Sequence, residues 1–186
     1  MRELALHILD VLQNAREAGA TRVELVVEED PAEDRLVIEV RDNGKGMDRQ
    51  TVQKVLDPFF TTRKTRHVGL GLPLFAAAAQ QCGGGLEIDS EPGRGTRIRA
   101  VFRLGHIDRA PLGNVAATIL SFLLSEPSCD LVYTRRCADR SFHLDTREVR
   151  RELGPVPLSH PAVREWLESY IEEGEQAVRG LASESP

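Results

Sequence analysis

A two-layer α/β sandwich of the α+β class, with one mixed and mainly antiparallel sheet covered by helices, is the fold that this sequence predicts. Three observations lead there. Runs of alternating apolar and polar residues come in pairs across short turns, 21–28 with 35–41 and 86–90 with 96–104, as antiparallel neighbours do. Apolar residues at helical spacing precede or follow each pair. A third candidate hairpin, 130–135 with 140–144, sits between further helical stretches.

The first helix is expected over Glu3–Ala18. Leu4, Ile8, Val11, Leu12 and Ala15 make an apolar stripe, and His7, Asp10, Asn14 and Glu17 make a polar one on a neighbouring face. Gly19 suits the left-handed position that ends a helix. Strands Thr21–Glu28 and Arg35–Arg41 follow, joined by the acidic turn 29–34. Asp48 is placed to cap a short helix over Asp48–Leu56, and 57–68 reads as a loop. Pro73 is tolerated only in a first helical turn, so the next helix starts near Gly71 and runs to about Gln81. Gly83-Gly84-Gly85 stops it, and strands Leu86–Ser90 and Thr96–Leu104 flank the turn 91–95.

After Leu104 the texture changes, which divides the chain into 1–104 and an extension, 105–186, of a helix, a hairpin and two further helices. Val115–Leu124 is an apolar helix too short to cross a membrane. The hairpin should turn at Ala138-Asp139, and Val163, Trp166, Leu167, Tyr170 and Ile171 form a stripe expected to pack on the core. Residues 183–186 are expected to fray.

With 186 residues, 41% of them hydrophobic, the chain can build a real core. A formal charge of −5 argues against nucleic acid as a partner. No apolar run reaches the ~18 residues of a membrane span, and Met1-Arg2-Glu3-Leu4 opens no secretory signal. The three cysteines form no Cys-x-x-Cys pair and read as free thiols in half-buried positions of a reducing compartment. A cytoplasmic location is therefore expected, and a structural metal is not.

The chemistry concentrates where the second strand ends. Leu36, Ile38 and Val40 share one face, and the two-residue period places Asp42 in the same inward row. A carboxylate entering a core costs on the order of several kcal/mol unless hydrogen-bonded. Gly44 and Gly46 directly after it let the backbone turn sharply and let a flat group approach. A buried acceptor beside a glycine shelf suits adenine, whose amino group is a donor. The residues point to a bound nucleotide.

Five stretches, taken in order, resemble the motifs of the GHKL ATP-binding superfamily of gyrases, heat-shock chaperones, histidine kinases and mismatch-repair proteins. They are Leu12-Gln13-Asn14-Ala15 (N box), Asp42-Asn43-Gly44-Lys45-Gly46-Met47 (first glycine box), Asp57-Pro58-Phe59-Phe60-Thr61-Thr62-Arg63 (phenylalanine box), Gly69-Leu70-Gly71-Leu72 (second glycine box) and Gly93-Arg94-Gly95-Thr96. The likeness is greatest to the catalytic ATP-binding domain of sensor histidine kinases. It implies the Bergerat-type fold, ATP or ADP with Mg²⁺ as cofactors, and a lid over the nucleotide.

The resemblance implies that Asp42 holds the adenine amino group with Gly44, Gly46 and Met47 beside it, and that Thr96 completes the contact, often through water. Asn14 becomes a ligand of Mg²⁺; read without the motifs it is an exposed helix-face residue. Gly69, Leu70, Gly71 and Leu72 offer bare amides to phosphate at a helix start. Phe59 and Phe60 anchor the loop or form the lid, with Thr61, Thr62, Arg63 and Lys64 along it. Arg63, Lys64 and Arg66 are open between phosphate contacts and a solvated basic run. Asp10, one turn before Asn14, is open between general base, outer-sphere partner of Mg²⁺ and surface charge. His7 is expected at the surface.

Two departures shape the functional expectation. The N box starts so near Met1 that the phosphoacceptor and dimerisation domain of a sensor kinase has no room, and His67 stands where the family usually has a glycine. A run at Gly105–Gly113 resembles small stand-alone bacterial ATP-binding proteins, some encoded near iron-only hydrogenases. The expectation is a stand-alone ATP/Mg²⁺-binding, histidine-kinase-like protein that acts on a partner protein as a regulatory or kinase-like module. The alternatives are a trans-acting protein kinase of the anti-sigma-factor type, a slow ATPase switch working as a homodimer, and a non-catalytic interaction domain.

Overall fold

The first apolar stripe folds as a helix, α1 (Leu4–Glu17), and the alternating pair after it as two strands, β1 (Arg22–Asp30) and β2 (Arg35–Asp42). These and the elements below come from a computed structural model that describes residues 3–57, 71–125 and 128–180. A short helix, α2 (Arg49–Lys54), begins on Asp48, whose side chain accepts from the Thr51 amide. Next come α3 (Gly71–Gln81), β3 (Gly85–Glu91) and β4 (Gly95–Arg103). The C-terminal part supplies α4 (Val115–Ser125), β5 (Asp130–Cys137), β6 (Arg140–Asp145), α5 (Thr146–Leu153) and α6 (Pro161–Arg179). The start of α3 at Gly71 puts Pro73 inside its first turn, where the missing amide costs nothing.

All six strands share one sheet, in the order β3-β4-β2-β1-β5-β6. Every neighbouring pair is antiparallel except β1 with β5. The hairpin of the C-terminal part thus continues the sheet of the N-terminal part, giving the mixed, mainly antiparallel α+β sandwich that the alternation predicts. Val23, Leu25 and Val27, Leu36, Ile38 and Val40, Ile98, Ala100 and Phe102, and Leu131 and Tyr133 bury one face. They form a single apolar core with the inner sides of α1, α3, α4 and α6. The other face is laced with charge: Glu39 lies 2.8 Å from Arg97, 3.7 Å from Arg99 and 3.8 Å from Arg41.

Three expectations change here. His7 is buried, not at the surface, because α3 packs against the helix side that carries it. Cys82 and Cys129 are fully buried, and only Cys137 is half-buried. On α6 the core-facing stripe is Val163, Leu167, Ile171 and Val178, whereas Trp166 and Tyr170 stack on each other 5.1 Å apart and stay exposed.

Candidate functional site

β2 delivers Asp42 to the inner face with only 9% of its surface exposed. One carboxylate oxygen accepts from the Gly44 amide at 2.8 Å. Thr96 is the register partner of Asp42 on β4. Burial pushes this carboxyl's pKa up, and the nearby backbone amides of Gly44 and Thr96 work against that shift. The one bond from Gly44 leaves lone pairs over, so the group is held without being saturated.

The glycines beside it are geometric necessities. A Cβ on Gly44 would stand 2.8 Å from both the Cβ and the carbonyl oxygen of Ala18, at the end of α1. Gly46 has φ +64, and a Cβ there would run into the Glu91 carbonyl. Between them, the Lys45 amide donates to Ala18 at 2.9 Å, and Gly93 donates to the Lys45 carbonyl at 2.7 Å. The glycine loop is thereby tied to α1 on one side and to the β3–β4 turn on the other.

Two polar residues with no assigned role in the sequence motifs, Asn43 and Ser90, complete this corner. The Asn43 side-chain oxygen accepts from the amides of Thr21 and Arg22 at 2.9 and 3.0 Å, clamping the entry to β1. Ser90 Oγ sits on the Met47 amide at 2.8 Å, the Gly95 carbonyl at 3.0 Å and Thr96 Oγ1 at 2.9 Å. Asp42, Thr96 and Ser90 are direct cross-strand partners on β2, β4 and β3. The one available signal was the alternation Leu86, Ile88, Ser90, which puts Ser90 in the inward row.

α1 forms the other wall. Asn14 is half-buried one turn before Ala18, and Asp10 is half-buried one turn earlier still. A Cβ on Gly71, the first residue of α3, would lie 3.1 Å from the Cβ of Asp10, so α3 begins against that side chain. From Asp10 to Ala18 the helix rises roughly 12 Å. Leu72 and Pro73 are buried behind Gly71. His7 lies flat on Phe75 of α3, ring centres 4.9 Å apart and planes 12° from parallel. Burial, and then the positive N-terminus, lowers its pKa to about 4.

Asp10, Asn14, Asp42, Gly44, Gly46, Met47, Gly71, Leu72 and Thr96 therefore border one region, between α1, the start of α3 and the ends of β2 and β4. Phe60, Thr61, Thr62, Arg63, Lys64, Gly69 and Leu70 lie outside the described residues, as do Phe59 and Arg66. Among the described residues no group of three or more His, Cys, Asp or Glu is placed to hold a metal ion. No described helix is long and apolar enough to cross a membrane.

Comparison with known proteins agrees with this geometry. The family model described as "Histidine kinase-, DNA gyrase B-, and HSP90-like ATPase" matches residues 2–106. A "Putative sensor protein" of Shewanella frigidimarina is 34% identical over 103 residues, 54% of this chain and 16% of the relative. "Sensor kinase CckA" of Brucella abortus is 38% identical over 89 residues, covering 47% of this chain and 9% of that protein. "Sensor histidine kinase YxdK" of Bacillus subtilis is 38% identical over 74 residues, 38% of this chain and 23% of that protein. The chain thus spans less than a quarter of the length of these relatives. Among solved structures, the "N terminal domain of a DNA repair protein" superposes with a TM-score of 0.53 at 14% identity, over 78% of this chain and 53% of that one. That likeness is one of fold.

Proposed function

This chain belongs to the histidine kinase-, DNA gyrase B- and HSP90-like ATPase family, and from that premise we propose that it binds ATP with Mg²⁺ and acts on a partner protein as a regulatory or kinase-like module. The observation that carries the reading is Asp42: a nearly buried carboxylate held by the Gly44 amide, with acceptor capacity left over, under a glycine loop too tight for side chains. The residues fit the nucleotide. Asp42 and Thr96 offer acceptors to an adenine amino group, and Gly71 starts a helix whose N-terminal end favours phosphate. They fit Mg²⁺ as well, because that ion keeps its waters and leans on phosphate oxygens, needing few protein ligands. Asn14 would hold it. Residues 1–104 are then the nucleotide-binding part and 105–186 the extension, in a cytoplasmic protein.

A slow ATPase is the second reading, favoured by the contact between Asp10 and the start of α3. There Asp10 is the base that activates water at the phosphate end. Purified protein with Mg·ATP, followed for both free phosphate and phosphoryl transfer to protein, separates the two. Binding itself is tested by Asn14→Ala and Asp42→Ala, both expected to lose ATP. Unaltered ATP affinity in the two variants would refute the site.

A further inference from the structure

Resting on the adenine-site reading above, the geometry points to Ser90 as the residue that makes this site choose an amino purine over an oxo purine. A hydroxyl has one hydrogen to give and two lone pairs to receive. Ser90 Oγ meets three groups: the Met47 amide at 2.8 Å, which only donates; the Gly95 carbonyl at 3.0 Å, which only accepts; and Thr96 Oγ1 at 2.9 Å, which does either. One arrangement of hydrogens turns all three contacts into hydrogen bonds. Ser90 receives from Met47, gives its hydrogen to Gly95, and receives a second bond from Thr96. The alternative, in which Ser90 donates to Thr96, leaves two lone-pair oxygens facing each other at 3.0 Å.

The consequence falls on Thr96. Its only hydrogen is spent on Ser90, so toward the pocket its hydroxyl is an acceptor. Asp42 beside it, taking the Gly44 amide, also presents lone pairs. An acceptor-only floor matches a ligand edge that donates, as the 6-amino group of adenine does. It repels the 6-oxo group of hypoxanthine or guanine, because facing lone pairs leave buried polar atoms unpaired. Ser90 is thus a specificity-determining residue that acts through Thr96 and need not touch the ligand.

The test compares ATP with ITP, which differ at the 6-position of the base, on the full chain by calorimetry. Wild type should prefer ATP, and Ser90→Ala should shrink that preference about tenfold, the worth of one hydrogen bond, because the freed Thr96 hydroxyl can then donate to the oxo group. Ser90→Thr keeps a hydroxyl in place and should restore the wild-type ratio, which a merely structural role would not require. If Ser90→Ala does not fold, Ser90→Cys, whose thiol is a weak acceptor and so also releases the Thr96 hydroxyl, carries the same expectation. An ATP-to-ITP ratio in the folded variant equal to that of wild type overturns the inference and leaves the adenine site standing. A wild-type chain that binds neither nucleotide removes the site, and the inference with it.

Discussion

At the end of β2, Asp42 is 9% exposed and its carboxylate is held by the Gly44 amide. On β5, Arg135 is 0% exposed and is surrounded by partners. Its Nη2 lies 2.8 Å from Glu29, its Nε 3.3 Å from Glu175, and its Nη1 2.9 and 3.3 Å from the carbonyls of Arg136 and Val27. Glu175 in turn receives the Tyr133 hydroxyl and Arg179. Both places pay for buried charge, but only one is finished. The Arg135 cluster spends its donors inside the molecule and fastens α6 to β5 and β1, so it has nothing to offer a ligand. The Asp42 carboxylate keeps lone pairs in reserve where the glycine loop has cleared space. Unspent hydrogen-bonding capacity, more than burial or charge, separates a site from a fastening.

The largest expected effect lies on the finished side. Arg135→Met keeps much of the volume but strands Glu29 and Glu175, and removing one partner of a buried pair costs about 3–5 kcal/mol. Chemical denaturation should show that loss while ATP affinity of the folded protein holds. A loss under ~1 kcal/mol would mean that water reaches the cluster, and the contrast with Asp42 would go. Next in size is a pH effect at His7. Its folded pKa of about 4 lies below the unfolded value of 6.5, so the unfolded chain takes up the proton first. Stability from this group is complete above pH 6.5 and is lost as pH falls from 6.5 toward 4, about 3 kcal/mol in all. His7→Phe keeps the stack on Phe75 and should flatten the acid limb of a stability-versus-pH curve. An unchanged limb would place the titration elsewhere.

Asp42→Asn sharpens the comparison from the unfinished side. The amide can still accept from Gly44, so melting should shift little, while the charge-assisted bond to the ligand is lost, about 1.5–3 kcal/mol or roughly 10- to 150-fold in ATP affinity. A variant that melts much earlier yet binds as before would make Asp42 a fastening like Arg135.

What could be read beforehand follows from how far apart the interacting residues lie in the chain. Asp42 and Thr96 were legible because each ends or starts an alternating run, and burial follows a two-residue period whatever the neighbours are. Ser90 stands in such a row too, but a serine at a strand end also reads as a turn residue, and its partners depend on a register that only the folded sheet fixes. His7 shares the polar stripe of Asp10 and Asn14, so helical spacing alone sent it to the surface; Phe75, from a distant helix, covers it. The parallel pairing of β5 with β1 has no local signature, since parallel neighbours are joined by long connections. Arg135 ends the run 130–135 in the sequence, though Leu131 and Tyr133 before it set an inward row that a charge enters only with partners from β1 and α6.

The smallest effect concerns the turn that folds β6 back along the strand carrying Arg135. Ala138, in the two-residue link between β5 and β6, has φ +53. A residue with a Cβ is strained there by about 1 kcal/mol, which glycine avoids at some cost in unfolded-state entropy. Ala138→Gly should therefore raise stability by a fraction of a kcal/mol, about 1–3 °C in melting temperature for a chain of this size. Because the gain arises in the hairpin and not beneath the glycine loop, ATP affinity should stay at the wild-type value. A stabilised variant with altered affinity would show that the hairpin and the nucleotide floor move together through β1, the strand between β2 and β5, and that the two buried charges are not independent.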